Sequence, residues 1–318
     1  MRVVVVGAGS WGTAFACLLR DRGHEVTLAA RDPEQVAAIG DTGRNPRYMR
    51  DVDLRGIAAV TIAEAPLEDV DLAVVAVPSR VFGEVVAGLP GRAPILSLTK
   101  GLDPATGERL STLVRGRSVA VLSGPNIAAE IARGLPAAAV VASDDLELAV
   151  RLQLAVNSSV FRVYVNEDVS GVELCAAAKN VIALAAGGAD GLQLGDNAKA
   201  ALVARGLAEM RRLAEVAGAR PDTFAGLAGM GDLIVTCWAP TSRNRRAGEL
   251  IARGASPSQA EAEIGMVVEG LTTAPVLRDL SHRLGIELPI TEGVCAVLEG
   301  VALTDLVEQL MRREPTTE

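Results

Sequence analysis

Four consecutive valines, Val3–Val6, run into Gly7-Ala8-Gly9-Ser10-Trp11-Gly12, and a helically spaced apolar stretch follows from Thr13 to Arg22. No other feature constrains the fold as strongly. A strand apolar at successive residues needs cover on both faces, which a parallel sheet packed by helices provides. A GxGxxG run alone is weak evidence, but between a strand and a helix at the first βα turn it marks a dinucleotide site. Gly7 permits the tight turn, Gly9 lets backbone approach a pyrophosphate, and Gly12 lets the helix close on the strand. The helix N-terminus then offers free N–H groups and a positive dipole end to phosphates.

Further strand-length apolar runs, Val26–Ala30, Leu72–Val77, Ile95–Thr99, Val119–Leu122, Ala137–Ala142 and Phe161–Val165, alternate with helical patterns. That alternation implies a doubly wound α/β domain with a parallel sheet. After about Glu167 the strand-like runs stop. Residues 169–190, 196–217, 241–253, 256–264, 271–284 and 290–312 read as helices, with Thr241 and Ser242 as a start signal and Gly218 and Gly254 as stops. The expected architecture is a Rossmann-like domain over 1–168 followed by an all-helical substrate-binding domain over 169–318. Glu314 to Glu318 read as a frayed tail.

Composition narrows the function. A chain of 318 residues can form two domains without disulfides or metal. A net charge of −8 argues against a nucleic-acid or anionic-membrane partner, and eight aromatics (2 Trp, 2 Tyr, 4 Phe) make no base-stacking platform. Cys17, Cys175, Cys237 and Cys295 form no CxxC pair and read as reduced, packed thiols of a cytoplasmic protein. The apolar start is too short for a signal peptide, and no stretch is read as a membrane span. His24 and His282 lack ligand spacing, so no metal is expected. A homodimer is expected from the commonness of that state.

Two local arguments point to chemistry. The second strand ends in Ala29-Ala30-Arg31, where an NAD site usually places an acid for the ribose 2′-OH; Arg31 suits the 2′-phosphate of NADPH, with Asp32 left as a possible ribose partner for NADH. Lysine occurs only at Lys100, Lys179 and Lys199, all other basic side chains being arginine. Lysine, unlike arginine, can act as an acid or base when burial lowers its pKa. Lys179 sits among small apolar residues with no carboxylate at i±3 or i±4, a setting that lowers its pKa. Lys100 ends an apolar strand, where ligands of open sheets bind. Lys199 reads as structural or surface. Asp232, in GMGDL, reads either as a lysine-orienting carboxylate or as a helix cap, and Ser242-Arg243-Asn244 at a helix start suits a phosphate.

Together these segments resemble the bacterial-type NAD(P)-dependent glycerol-3-phosphate dehydrogenase family. The motifs are GAGSWGTA (7–14), VPSRVFGEV (77–85), TKGL (99–102), SGPNIAAE (123–130), GLPAA (134–138), AAKNVIA (177–183), GLAEM (206–210), GMGDL (229–233), SRNRR (242–246) and VVEG (267–270). The resemblance implies an active site between the two domains and reversible conversion of dihydroxyacetone phosphate to sn-glycerol 3-phosphate for phospholipid synthesis. It implies Lys179 as proton donor and acceptor and Asp232 as a substrate contact; the chemistry of ketone reduction adds Asn180 and Asp232 as the groups expected to orient the lysine. Lys100, Gly124, Asn126, Ser242, Arg243 and Asn244 are the implied further substrate contacts. Gly7, Gly9, Ser10, Trp11, Gly12, Arg31, Lys100, Ala128, Arg243, Val267 and Glu269 are the implied NADPH contacts. Asn126 departs from the family, which usually has Ser or Thr there. On the residues alone, a different dehydrogenase of this architecture or a non-enzymatic dinucleotide sensor stays open; SRNRR favours a phosphorylated triose, and the acidic chain lacks a basic effector surface.

Overall fold

The computed structural model describes residues 1–311, with side chains through residue 308. The expected tail at Glu314 to Glu318 lies outside the described residues. The first half is one eight-stranded sheet in the order β3-β2-β1-β4-β5-β6-β7-β8. Its strands are β1 (Arg2–Val6), β2 (Glu25–Ala30), β3 (Ala58–Thr61), β4 (Leu72–Val75), β5 (Ile95–Ser97), β6 (Val119–Ser123), β7 (Ala137–Ala142) and β8 (Phe161–Asn166). Helices α1 (Ser10–Asp21), α2 (Pro33–Thr42), α3 (Ser79–Gly88), α4 (Ala128–Ile131) and α5 (Leu146–Val156) connect them.

The four valines show why this sheet forms. Val3 and Val5 join one core cluster with Phe15, Leu19 and Leu28, while Val4 and Val6 join another with Phe82 and Val75. Alternate side chains thus enter cores on opposite faces, and neither face reaches water.

Two expectations for the sheet need correction. β7 pairs antiparallel with β6, and β8 runs parallel to β7, so these two strands oppose the parallel set β1–β6. An apolar run is equally well buried in either direction, so its pattern does not report the reversal. β3 carries no strand signal: it is an edge strand of four residues, none of them fully buried. At the other edge β8 leaves Arg162 and Tyr164 exposed.

The second half is helical, with α6 (Val169–Gly191), α7 (Gly195–Val216), α8 (Pro221–Ala225), α9 (Asp232–Trp238), α10 (Arg243–Ala252), α11 (Pro257–Ile264), α12 (Glu269–Leu284), α13 (Pro289–Leu298) and α14 (Leu303–Met311). The single helix expected over 290–312 is therefore two, broken around Gly300 (φ +106). One π turn, Leu227–Gly231, leads into α9.

α6 is the axle of this half, buried at nearly every position from Val169 to Ala189. By length and composition α6 could cross a membrane, with mean hydropathy 1.4, yet 89% of that window is packed inside the protein. Its small residues let α10 approach backbone to backbone. A Cβ on Gly187 would strike the Arg245 carbonyl, and one on Gly248 would strike the Leu184 carbonyl. The SRNRR segment is thereby set against the helix that carries Lys179.

Candidate active site

The glycine turn is built as a cradle. Gly7 has φ +113, which only glycine adopts without strain, and a Cβ there would meet the Ala76 carbonyl. A Cβ on Gly12 would run into the Gly7 carbonyl, whereas one on Gly9 would meet nothing within 4 Å. The open space thus lies over Gly9, in front of the uncapped N-terminus of α1, whose first turn holds no acid. That geometry fits a dinucleotide pyrophosphate. Beneath the turn lies a fully buried side chain with no sequence signal, Asn45. It donates to the Ala8 carbonyl (3.0 Å) and Thr13 Oγ1 (2.9 Å), and accepts from Gln35 Nε2 (2.9 Å) and the N–H groups of Arg47 (3.2 Å) and Tyr48 (3.1 Å).

The other expected cofactor residues lie around this cradle. Trp11 turns inward, edge-on to Phe15 (5.4 Å) and beside Phe161. Ser10 Oγ lies 3.9 Å from the Met266 sulfur, across the cleft. Ala128 begins α4. Arg31 is exposed and has no ion pair among the described residues. Asp32 is engaged: one oxygen caps α2 through the Glu34 N–H (3.0 Å), and the other pairs with Arg47 (3.0 Å).

Two carboxylates tie the helical half to the sheet half in the same way. Glu269 accepts from the N–H (3.1 Å) and hydroxyl (2.5 Å) of Ser79, at the start of α3. Glu173 accepts from the N–H (2.8 Å) and hydroxyl (2.5 Å) of Ser111, with Arg109 at 3.3 Å. Burial pushes both carboxyls above their ordinary range, the serine bonds opposing it.

The charged centre forms where β5, β6, α6 and α9 meet. Asp232, 1% exposed, places one oxygen 2.7 Å from Lys179 Nζ and the other 2.7 Å from Lys100 Nζ. Lys100 also donates to the Gly124 carbonyl (3.2 Å), and Ser123 Oγ lies 3.4 Å from the shared carboxylate. Lys179 donates a second bond to Thr236 Oγ1 (2.8 Å), which in turn donates to the Asp232 carbonyl (2.6 Å). Sequence spacing alone put no carboxylate near Lys179; the fold supplies one from α9.

Burial lowers the Lys179 pKa to about 8; Asp232 opposes the shift and Lys100 adds to it. Burial alone would raise the Asp232 carboxyl, but Lys100 and Lys179 together hold it below its ordinary value. Two ammonium groups against one carboxylate leave a net positive charge in a desolvated site, an arrangement that favours an incoming anion or a developing alkoxide.

One expected role changes. Asn180 does not meet Lys179; its Nδ2 donates to the Ala176 carbonyl (3.2 Å) and its Oδ1 accepts from Asn244 (2.9 Å). Adjacent residues on a helix point about 100° apart, so the two side chains diverge. Asn244 also accepts from the Gly270 N–H (2.9 Å), which ties α10 to both α6 and α12. Lys199, read as structural or surface, takes the structural alternative: it is buried, paired with Asp190 (2.8 Å) and set over the Trp238 ring (5.1 Å).

The remaining expected residues line the mouth. Ser242 caps α10, accepting from the Arg245 N–H (3.3 Å). Arg243 donates to the Val267 carbonyl (2.7 Å). Asn126 donates to the Ala138 carbonyl (3.1 Å), while its buried Oδ1 has no partner among the described residues. Sequence reasoning missed Thr236, Ser123, Ser79 and Asn45. Thr236 was within reach, one turn beyond Asp232, had α9 been read as a helix. No group of three metal-ligating side chains occurs among the described residues.

Comparison with known proteins finds similarity along nearly the whole chain. The family model described as NAD-dependent glycerol-3-phosphate dehydrogenase N-terminus matches residues 2–149, and its C-terminus counterpart matches residues 168–308. A glycerol-3-phosphate dehydrogenase [NAD(P)+] of Nocardia farcinica is 45% identical, covering 98% of this chain and 98% of its own. One from Moorella thermoacetica is 45% identical over 99% of this chain and 97% of its own. The crystal structure of glycerol-3-phosphate dehydrogenase from Coxiella burnetii superposes with a TM-score of 0.94 at 37% identity, covering 98% of this chain and 99% of that one.

Proposed function

The chain belongs to the NAD-dependent glycerol-3-phosphate dehydrogenase family, and on that premise we propose how its own residues carry out the reaction. The activity is the NAD(P)-dependent interconversion of dihydroxyacetone phosphate and glycerol 3-phosphate. One observation carries the assignment of roles: the Asp232 carboxylate joins Lys179 and Lys100 at the carboxyl edge of the sheet, beside the glycine cradle.

When bound, the nicotinamide supplies a hydride to C2 of the ketone, or takes one from the alcohol. Lys179, as ammonium, hydrogen-bonds the C2 carbonyl oxygen and gives it a proton as negative charge develops there. General acid catalysis of this kind contributes about 10²–10⁴-fold. A pKa near 8 suits both directions, because the ammonium is a competent acid and the amine a competent base close to neutral pH. Asp232 and Thr236 hold Nζ in place, so that losing its proton does not release the side chain. Lys100 adds a second positive charge facing the substrate.

Arg243, at the mouth, binds the substrate phosphate with Ser242 and the N-terminus of α10, while Asn244 is fixed by Asn180 and Gly270. Binding energy from the phosphate end then positions C2 for reaction. The unpartnered Oδ1 of Asn126 is available to a substrate hydroxyl. Gly7, Gly9 and Gly12 seat the pyrophosphate, and Arg31 favours a 2′-phosphate, hence NADPH over NADH. We place the enzyme in the cytoplasm as a homodimer that supplies glycerol 3-phosphate for phospholipid synthesis.

The test follows nicotinamide absorbance with dihydroxyacetone phosphate, using NADPH and NADH in parallel, for wild type and Lys179→Ala. Turnover in the wild type and its loss in the variant are expected. A variant that keeps wild-type kcat would remove Lys179 from the proton transfer.

A further inference from the structure

We propose that Arg47 sets cofactor specificity by withholding Asp32 from the cofactor, so that Arg31 alone faces the adenosine ribose. This rests on the NADPH preference proposed above and names the residue that enforces it.

Dinucleotide folds place an acid after the second strand to bind the ribose 2′-OH. Here Asp32 is that acid in kind and near it in position, directly after Arg31. A free carboxylate there would accept from the 2′-OH of NADH and repel the 2′-phosphate of NADPH. Both its oxygens are taken, one by the α2 cap and one by Arg47.

An exposed ion pair by itself contributes little and is easily screened. This one is not left to chance. The Arg47 N–H is fixed by the buried Asn45 Oδ1 (3.2 Å), and Asn45 Nδ2 holds the Ala8 carbonyl of the glycine turn (3.0 Å). Gln35, on α2, donates to the same two acceptors, Ala8 O and Asn45 Oδ1, each at 2.9 Å. Met49, two residues on, adopts φ 59, a strained conformation for a non-glycine residue. The backbone of the segment bearing Arg47 is therefore a fixed part of the cofactor cradle, and from it the exposed guanidinium reaches to 3.0 Å from the acid that would otherwise compete.

The experiment compares kcat/KM for NADPH with that for NADH in wild type, Arg47→Ala, Asp32→Asn, the double variant and Arg31→Ala. Asparagine caps helices as well as aspartate, so Asp32→Asn keeps α2 intact. Arg47→Ala should lower the NADPH/NADH ratio by about fivefold. In the Asp32→Asn background the same change should move the ratio by less than about twofold, because no acid is left to unmask. An equal fall in both backgrounds would mean that Arg47 binds the phosphate itself, and an unchanged ratio in Arg47→Ala would mean that Asp32 is never in play; either overturns the proposal. An Arg31→Ala enzyme with the wild-type ratio would instead overturn the NADPH reading beneath it.

Discussion

The two halves of the molecule build their shares of the cleft from different materials. The sheet half offers mostly backbone: the turn at Gly7, Gly9 and Gly12, the start of α1, and a buried Asn45 whose five hydrogen bonds all hold its own half in shape. The helical half offers side chains: Lys179 and Asp232 are buried, ionised and mutually dependent. A backbone site fails when an atom is added, because the room was made by leaving Cβ out. A buried side-chain site fails when a partner is removed, because the charge left behind has no solvent to turn to. Each half therefore has its own mode of failure, and the cleft joins them.

The comparison breaks first, if it is wrong, at Lys179. Lys179→Ala should lower kcat by about 10²–10⁴-fold while dinucleotide affinity, read by fluorescence titration, stays within about twofold. Next come the glycines. Gly12→Ala adds an atom against the Gly7 carbonyl and should weaken both NADPH and NADH by at least about tenfold, with a lowered Tm. Gly9→Ala meets nothing within 4 Å, so it should keep the wild-type Tm and still lose cofactor affinity. A Gly9→Ala enzyme with normal KM for cofactor would show that the open space is not the pyrophosphate seat.

The pH profile sharpens the other side. Ketone reduction needs Lys179 protonated, so kcat for reduction should fall as pH rises through about 8, and alcohol oxidation should rise over the same range. Asp232 raises the Lys179 pKa, so Asp232→Asn should move both transitions to lower pH. The smallest effect is expected from Thr236→Val. Losing one hydrogen bond to Lys179 is worth about 1 kcal/mol, or about fivefold in kcat, with KM for dihydroxyacetone phosphate unchanged.

The same contrast explains what could be read in the chain beforehand. Val3–Val6 and the glycines were legible because local spacing alone determines a buried strand and a tight turn. Lys179 stood out by residue type and setting. Its partner was legible only in part: Asp232 reads as a lysine-orienting carboxylate or as a helix cap, and the choice stays open because α8, the π turn and α9 are short pieces, with Gly226 between the first two and Gly229 and Gly231 inside the turn, too short for periodicity to register. Thr236 went with them. Asn45 looks like any loop asparagine until the fold buries it. The direction of Asn180 is a matter of helix phase, and the reversal of β7 leaves no mark on an apolar run.

That reversal has a consequence for length. Because β7 and β8 run against β1–β6, the chain leaves the sheet at the edge opposite the active site, with Val169 and Val172 packed near Val121 and Ala142. α6 must climb back to bring Lys179 level with Ser123 and Gly124. The rise from Val169 to Lys179 is about 15 Å at 1.5 Å per residue, close to the span of a five-residue strand. α6 is a ruler as well as an axle. One extra residue between Val172 and Lys179 would advance the ammonium by about 1.5 Å and swing it about 100° off Asp232, even if every apolar side chain were matched in kind. The spacing before this lysine is as strictly constrained as the lysine itself.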